Sequence, residues 1–330
     1  MGGEVSSLAE SIRIATRSSP LAMWQSNHVA DLIRAAVPEC QVKLVEVSTQ
    51  GDQDRTSTLA SMGGQGVFTR EVQTAVLDGR ADIAVHSLKD LPTIPIDGLT
   101  LAAVPKRASA FDALVLRDEP EDGDDDLTWS ADATVVLLLA SLPKGGRIGT
   151  GSPRRQAQLR NYRDDLQVVQ IRGNVETRLA KLDAGEFDAI VLAEAGLTRL
   201  GFQDRISMSL TPPIMYGAVG QGAIGIECRL EDEVTGATLA RISDPDDFAA
   251  TAAERSLMRE LKAGCHAPVG TQTLRTEHGL RLDGVVLSMD GTFRIAARET
   301  GDPAEPERLG KRVAYLLCHD GAETLLAPAE

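Results

Sequence analysis

Arginine side chains gathered in one short stretch of an acidic chain could form a binding site for an anion. The chain has a formal net charge of −14 at pH 7, yet the segment 149–178 holds Arg154, Arg155, Arg160, Arg163, Arg172 and Arg178. Such a cluster is explained either by a solvated helix face with internal ion pairs or by a pocket for carboxylate or phosphate groups. The spacing of the arginines favours the pocket.

Arg154 and Arg155 directly follow Ser152 and Pro153, a pair that is typical of a helix start. Serine is a preferred N-cap residue, and proline is favoured in the first helical turn. Both arginines would then lie beside free backbone N–H groups at the positive end of a helix dipole, where an anion is stabilised.

Arg172 and Arg178 repeat this arrangement further along the chain. The apolar run 166–171 predicts a strand, residues 172–174 a turn, and the residues from Val175 onward a helix. Two strand-to-helix turns would therefore present arginines at one sheet edge.

The segment AVHSLKD at 84–90 ends a predicted buried strand with polar side chains. In a purely structural interpretation Asp90 caps a turn, Lys89 is a surface charge, and His86 is a buried structural histidine. A carboxylate among arginines and lysine, however, stays ionised and can stabilise a developing cation. This surrounding charge favours a chemical role for Asp90.

The four cysteines are scattered without a CxxC pair, at positions Cys40, Cys228, Cys265 and Cys318. Neither a disulfide framework nor a zinc site is indicated, and we expect no metal. Cys265 and His266 are adjacent, and neighbours in sequence rarely form a nucleophile-base pair. Cys265 is therefore either an inert core residue or a single reactive thiol.

Composition excludes several classes of protein. The chain has 330 residues, of which 42% are hydrophobic and 3% aromatic, which predicts a globular protein with two or three domains. Its acidity and few aromatic residues argue against nucleic-acid binding. The absence of a long apolar run or a signal-like start predicts a cytoplasmic protein that does not enter the membrane.

A weak internal repeat predicts two similar α/β lobes. Residues 72–85 resemble 175–191, each with a helix, a glycine-containing turn and a strand, and residues 13–20 resemble 147–153. Alternating strands and helices imply mainly parallel sheets, which bind ligands beyond the carboxyl ends of their strands. We expect the lobes to face each other across a cleft.

The pattern after about residue 245 predicts a separate, small α+β domain. It indicates a helix at 247–262, strands near 280–286 and 293–297, and a last helix from Pro306.

Six motifs resemble the porphobilinogen deaminase family, also called hydroxymethylbilane synthase. They are RIATRSSPLAMWQ at 13–25, DIAVHSLKDLP at 82–92, GTGSPRRQAQL at 149–159, IRGNVETRLAKLD at 171–183, AVGQGAIGIECR at 218–229 and AGCHAPVG at 263–270. They occur in the family's order and are specific, whereas about the last 55 residues match loosely.

The resemblance implies a fold, an activity and a cofactor. The family has two lobes that resemble periplasmic binding proteins and a third domain. Its enzymes remove ammonia from porphobilinogen, add four units to a dipyrromethane primer joined by a thioether to a cysteine, here Cys265, and release 1-hydroxymethylbilane by hydrolysis. We expect a monomeric transferase of haem and tetrapyrrole biosynthesis, with lobe 1 at 11–105 and 222–240, lobe 2 at 106–221 and the third domain at 245–330.

The resemblance also implies roles for individual residues, with Asp90 as the catalytic carboxylate. The implied cofactor-binding residues are Cys265, Lys89, Ser87, Thr150, Ser152, Arg154, Arg155 and Arg178. The implied substrate-binding residues are Arg17, Ser19, Arg172, Arg178, Arg199 and Phe68. Segment 48–68 is interpreted as a mobile lid with Phe68 at its hinge.

The chain departs from the family pattern at several positions. Gln65 replaces a common lysine of the lid, Gly151 and Pro153 replace serine and leucine, and Ala263 replaces a glycine. Two other functions stay open: an anion-binding or ligand-sensing protein with the same two-lobed fold, and a homologue that binds pyrroles without turnover.

Overall fold

The computed structural model describes residues 8–47, 69–117, 139–264 and 267–326. The 48–68 segment interpreted as a lid, with Gln65 and Phe68, lies outside these ranges, and so do Cys265 and its neighbour His266. The stretch DEPEDGDDD at 118–126, whose repelling charges predict a solvated loop or edge insertion, also lies outside them. Among the helices of the described ranges, none has both the length and the apolar character needed to span a bilayer.

Strands and helices alternate through most of the described chain. The strands are β1 (Ser11–Thr16), β2 (Gln41–Glu46), β3 (Ile83–Ser87), β4 (Leu99–Ala103), β5 (Asp112–Leu116), β6 (Arg147–Gly149), β7 (Gln167–Val169), β8 (Ala189–Ala193), β9 (Met208–Leu210), β10 (Ile224–Arg229), β11 (Val269–Thr276), β12 (Gly279–Leu287) and β13 (Arg294–Gly301). The helices are α1 (Pro20–Ala36), α2 (Arg70–Leu77), α3 (Pro153–Tyr162), α4 (Val175–Asp183), α5 (Glu194–Arg199), α6 (Glu233–Ala240), α7 (Pro245–Glu260), α8 (Pro306–His319) and α9 (Ala322–Leu326).

Two five-stranded sheets share one topology, which confirms the predicted pair of similar α/β lobes. The first has the order β2-β1-β3-β10-β4 and the second the order β7-β6-β8-β5-β9. The first three strands of each order pair in parallel, and the fourth is antiparallel to both its neighbours. Four strands of each sheet therefore run in one direction. The strands of each sheet fall within the predicted lobe limits, and the limits themselves stay a prediction.

The reversed strand in each sheet is the strand that arrives from the other lobe. The chain leaves the first sheet after β4 to enter the second as β5, and it leaves the second after β9 to return as β10. Asp112 begins β5 opposite Ala193, the last residue of β8, and Ile224 begins β10 opposite Ser87, the last residue of β3. Both crossings therefore lie at the carboxyl ends of the parallel strands, where the sequence places the site.

The helices at this edge begin at the predicted positions, each directly after a polar residue. The Ser19 hydroxyl accepts a hydrogen bond from the Ala22 backbone N–H, and the Asn174 side chain accepts one from the Thr177 N–H. Ser152 is the N-cap of α3, but its side chain forms no capping hydrogen bond. The strand predicted at 166–171 is shorter, spanning Gln167–Val169.

The third domain is a three-stranded antiparallel sheet, β11-β12-β13, covered by α7 and α8. Helix α7 begins two residues before the predicted position because Asp244 caps it and Pro245 occupies its first turn. Strand β11 was not predicted, since VGTQTLRT contains too few apolar residues to show an alternating pattern.

The third domain also holds both crossings between the lobes through the buried side chain of Glu254. Its carboxylate accepts hydrogen bonds from Arg107 Nη1 on the first crossing at 2.8 Å and from the Gly220 N–H on the second crossing at 2.8 Å. The three units therefore meet where the chain passes between the lobes.

A substitution at Gly310 can test whether α8 packs closely on α7. A Cβ at this position would lie 2.4 Å from the carbonyl oxygen of Ala253 and 2.6 Å from Cβ of Ser256. Because neither neighbour can move freely, Gly310→Ala should lower the free energy of unfolding by about 1–3 kcal/mol in a urea titration. The control Gly236→Ala in α6, whose Cβ would meet nothing within 4 Å, should stabilise by about 0.5–1 kcal/mol. Equal effects of the two substitutions would contradict this packing.

Candidate active site

Asp90 stands on a short turn at the end of strand β3. Residues Leu88–Asp90 form a single 3-10 turn, in which the Leu91 N–H donates to the Leu88 carbonyl at 3.2 Å. The Leu88 N–H in turn donates to the carbonyl of Ala223 on the second crossing at 3.0 Å. The turn leaves the Asp90 side chain exposed and the Lys89 side chain half-buried. Burial lowers the pKa of Lys89 to about 8, against the opposing effect of the Asp90 charge.

A cavity of about 200 Å³ lies between the three units of the fold. Lobe 1 contributes the turn with Lys89 and Asp90, and lobe 2 contributes the start of α3. The lining residues from lobe 2 and the third domain are Ser152, Arg154, Arg155, Ala218, Val219, Gln221, Met258, Ala263, Ala267 and Val269. Ala263 and Ala267 flank the segment that contains Cys265. The cavity therefore brings Ala263 and Ala267, which precede and follow that cysteine by two residues, to the same space as Asp90.

Arg154 and Arg155 share one fully buried carboxylate, that of Asp112. Arg154 Nη1 donates to Oδ2 of Asp112 at 2.6 Å, and Arg155 Nε donates to Oδ1 at 2.9 Å. Gln221 Nε2, from the second crossing, also donates to Oδ1 at 3.0 Å. Burial alone would raise the pKa of Asp112, but the charges and hydrogen bonds of Arg154 and Arg155 hold it far below its usual range.

Sequence reasoning missed Asp112. Its only local signal is a single carboxylate at the head of an otherwise apolar strand, DALVL. The residue has 0% exposure, and a buried charge is expected only where it is paired. Its partners lie about forty residues further along the chain, so the pairing has no pattern in sequence.

A smaller cavity of about 90 Å³ lies on the other side of Asp90. Its lining includes Arg17, Ser19, Gln25 and Ser87 from lobe 1. Gln25 Nε2 donates to the Ser87 hydroxyl at 2.8 Å, which fixes both side chains. Asp90 lines both cavities. Lys89, Ser152, Arg154 and Arg155, predicted to hold the cofactor, line the larger one. Arg17 and Ser19, predicted to hold the substrate, line the smaller one together with Ser87, which was predicted to hold the cofactor.

Two family profiles cover most of the chain. Residues 12–237 match the family described as "Porphobilinogen deaminase, dipyromethane cofactor binding domain", and residues 248–319 match "Porphobilinogen deaminase, C-terminal domain". The chain belongs to the porphobilinogen deaminase family. The predicted activity, a transferase reaction on porphobilinogen with a dipyrromethane cofactor, is confirmed by this membership.

Curated relatives named porphobilinogen deaminase agree with the family assignment. The protein of Stenotrophomonas maltophilia is 45% identical over 96% of this chain and 99% of its own length. Those of Chromobacterium violaceum and Syntrophobacter fumaroxidans are 43% and 42% identical, over 96% of this chain and 97% and 96% of their own lengths.

Solved structures with a similar backbone have much lower sequence identity to this chain than the curated relatives have. The VFT2 domain of Bordetella pertussis BvgS has a TM-score of 0.41 and 17% identity, and covers 75% of this chain and 92% of that domain. The periplasmic aliphatic sulphonate binding protein SsuA of Escherichia coli has a TM-score of 0.36 and 14% identity, over 77% of this chain and 75% of its own.

The other arginines implied by the resemblance to porphobilinogen deaminases, Arg172, Arg178 and Arg199, line neither cavity. Arg178 on α4 donates from Nε to the Gly173 carbonyl at 2.8 Å. Burial and then the charge of Arg155 lower the pKa of Arg178 to about 10. Arg172 is exposed on the same turn, and Thr150 is buried, its hydroxyl accepting from the Ser152 N–H at 3.3 Å.

Arg199 lies between the lobes. Its Nη2 donates to the Gly222 carbonyl on the second crossing at 2.7 Å, and its guanidinium lies 5.5 Å from the ring centre of Trp24 on helix α1 of the other lobe. Burial lowers the pKa of Arg199 to about 10. In this member of the porphobilinogen deaminase family, Arg199 therefore joins the two lobes, and its role in substrate binding stays a prediction.

The Asp112 pairing can be tested through its dependence on pH. Asp112→Asn leaves two buried guanidinium groups without their counter-charge, and we expect a loss of about 3–5 kcal/mol in unfolding free energy at pH 7. The folded-state pKa of Asp112 lies below the unfolded value of about 4, so its contribution is present above that pH and is lost as pH falls through the folded-state pKa. The stability gap between wild type and variant should therefore narrow below about pH 4.

Urea titrations at several pH values measure this gap. The control is Asp31→Asn, which removes the carboxylate of an exposed pair with Arg34 and should change stability little. A gap that stays constant from pH 7 to pH 3 would show that Asp112 does not act through its charge.

Proposed function

We propose that the cleft performs the porphobilinogen deaminase reaction with Asp90 as its catalytic carboxylate. In this reaction four porphobilinogen units are added in turn, each with loss of ammonia, and 1-hydroxymethylbilane is released by hydrolysis. The observation that carries the proposal is the cavity shared by Asp90 and Lys89 of lobe 1, Arg154 and Arg155 of lobe 2, and the residues on either side of Cys265.

The residues around the larger cavity fit a dipyrromethane. Each of its rings carries an acetate and a propionate, so the group requires several cationic or N–H donors. Lys89, Arg154 and Arg155 line the cavity, and Arg154 Nε is buried with no hydrogen-bond partner among the described residues. Charge-assisted hydrogen bonds from such donors to carboxylates stabilise by about 1.5–3 kcal/mol each. The arginine lining therefore supplies the contacts that the cofactor needs.

The proposed cofactor contacts come from both lobes and the third domain. They are Ser87, Lys89, Thr150, Ser152, Arg154, Arg155 and Arg178, with Cys265 as the thioether anchor. When bound, the cofactor supplies a tethered pyrrole to which each new unit is added. The tether keeps intermediates in the site between additions, which avoids the entropic cost of binding them again.

Asp90 acts on the incoming unit. Ammonia leaves porphobilinogen with the electron pair of the broken C–N bond, and a cation remains on the pyrrole. The exposed Asp90 carboxylate, which lines both cavities, stabilises this cation and takes part in proton transfer at the pyrrole. The proposed substrate contacts are Arg17, Ser19, Arg172, Arg178, Arg199 and Phe68.

The proposal extends to the oligomeric state, location and domain limits of the enzyme. We propose a monomer in the cytoplasm that binds neither nucleic acid nor membrane. We also propose the lobe limits that the sequence predicts. The acidic net charge of −14 supports the first of these exclusions.

Asp90→Asn tests the catalytic role. The variant keeps the size of the side chain but cannot carry the negative charge, so we expect porphobilinogen turnover to fall about a hundredfold or more while the thermal transition stays unchanged. The control Asp97→Asn alters an exposed carboxylate of the same lobe and should retain wild-type turnover. Near-normal turnover by Asp90→Asn would remove Asp90 from the mechanism, and a wild-type protein that binds but does not consume porphobilinogen would be a pyrrole-binding homologue.

Cys265→Ser tests the anchor. Mass spectrometry of the denatured wild-type chain should show the added mass of two pyrrole units on the peptide that contains Cys265, and the serine variant should lack it because an alcohol forms no stable thioether. Cys318→Ser, at a half-buried cysteine of the third domain, should keep the added mass. If Cys265→Ser still carried the added mass of two pyrrole units, the cofactor would be anchored at another residue.

A further inference from the structure

Helix α7 of the third domain packs against two different parts of the protein, each through its own face. On one face Ala253 and Leu257 are buried in the core of the third domain with residues of α8. On another face lie Phe248 and Arg255, which are seven residues apart and therefore stand one above the other after two helical turns. This second face meets lobe 1 at the turn that carries Asp90.

Arg255 contacts the chain directly after Asp90. Its Nη1 donates to the carbonyl of Leu91 at 3.0 Å, and its Nη2 donates to the carbonyl of Pro92 at 2.7 Å. The arginine is 9% exposed, so both bonds form in a place with little competition from water. Two bonds from one planar guanidinium fix the direction as well as the position of the segment.

The other contact of this helix with the turn is apolar. Phe248 packs against the small cluster formed by Leu88, Leu91, Val104 and Ala223. The turn is also held at the start of β10, through the bond from the Leu88 N–H to the Ala223 carbonyl. The Asp90 turn therefore has one support in lobe 1 and another in the third domain.

The same helix leads to the anchor segment. Met258, three residues after Arg255, lines the cavity that Asp90 also lines. The helix ends at Glu260, Lys262 takes a left-handed conformation with φ of 49°, and Ala263 lines the cavity again. At about 1.5 Å per residue, the helical rise from Arg255 to Glu260 is about 7.5 Å. The helix residues 255–260 and the residues 261–263 that follow thus join the support of Asp90 to the cavity wall at Ala263.

We propose that Arg255 is a positioning residue that fixes the Asp90 turn relative to helix α7, whose continuation along the chain leads to the proposed cofactor anchor. The inference rests on the proposed function for its catalytic consequence. The reaction requires each new unit to be placed between a tethered chain end and a carboxylate, and those two parts come from different domains. Arg255 couples the two domains at this point because it belongs to helix α7 of the third domain and is bonded to the chain directly after Asp90.

The test uses Arg255→Gln, Arg255→Lys and the control Arg259→Gln in the full-length enzyme. Arg255→Gln should lower kcat about ten- to a hundredfold, since small displacements of a catalytic group have effects of this size. KM and the mass of the bound cofactor should stay near wild-type values, because the arginine lining and Cys265 are unchanged. Arg255→Lys, which can donate to one of the two carbonyls, should restore part of kcat. Arg259→Gln makes the same chemical change one helical turn later and should leave kcat unchanged.

A second readout does not depend on activity. Hydrogen–deuterium exchange at the Leu88 and Leu91 amides should be faster in Arg255→Gln than in wild type and unchanged in Arg259→Gln. If wild type fails to consume porphobilinogen, the proposed function is wrong, and the exchange result still decides whether Arg255 holds the turn. Wild-type exchange in Arg255→Gln, or a kcat equal to that of wild type in an active enzyme, would overturn the inference. A general loss of thermal stability with KM and kcat unchanged for the folded fraction would make Arg255 a purely structural residue.

Discussion

The cleft depends on a balance of charge inside the protein. Arg154 and Arg155 are adjacent and buried, and two guanidinium groups in such a place repel each other and lose the stabilisation of water. Asp112 compensates for one of the two charges and bonds to both side chains. The pair keeps a net positive charge toward the cavity. Without the carboxylate the arginines would be costly to bury, and with a second one they would have no charge left for an anionic ligand.

The topology of the lobes explains why Asp112 can play this part. Strand β5 is reversed because the chain arrives from the other lobe, so its first residue lies at the carboxyl end of β8. The amino end of α3, with its arginines, meets the same edge of the sheet. Gln221 on the second crossing completes the contact. The charge balance of the site and the connection between the lobes therefore use the same backbone segments.

The sequence predicted the parts that depend on local patterns. Ser152 with Pro153 and Asn174 start helices where expected, and the turn after β3 presents Asp90 at a sheet edge. The repeated topology of the two lobes also followed from a short internal resemblance. Strand β11 was not predicted because its many polar residues leave no clear alternation of apolar and polar positions.

The contacts between domains could not be predicted in this way. Asp112 finds its arginines about forty residues away, Arg199 meets Trp24 across the lobes, and Glu254 joins two crossings that are more than a hundred residues apart. Each of these residues has an ordinary sequence neighbourhood, since its partner is selected by the folded arrangement of three domains. Of these residues the family resemblance named Arg199, but it did not give the contacts of that residue with Gly222 and Trp24.

The contacts of the third domain explain how one site can be built from three bodies. Besides holding the crossings through Glu254, this domain reaches lobe 2 at its arginine helix, where the Asn161 side chain donates to the Gly291 carbonyl at 2.8 Å and Arg160 Nη1 to the Met289 carbonyl at 3.0 Å. It reaches lobe 1 through Arg255, at the residues that follow Asp90. Each lobe is thus bound to the third domain next to its own contribution to the site. Because the two lobes share the third domain as a common support, Asp90 and the arginines are placed relative to the third-domain residues of the cavity as well as to each other.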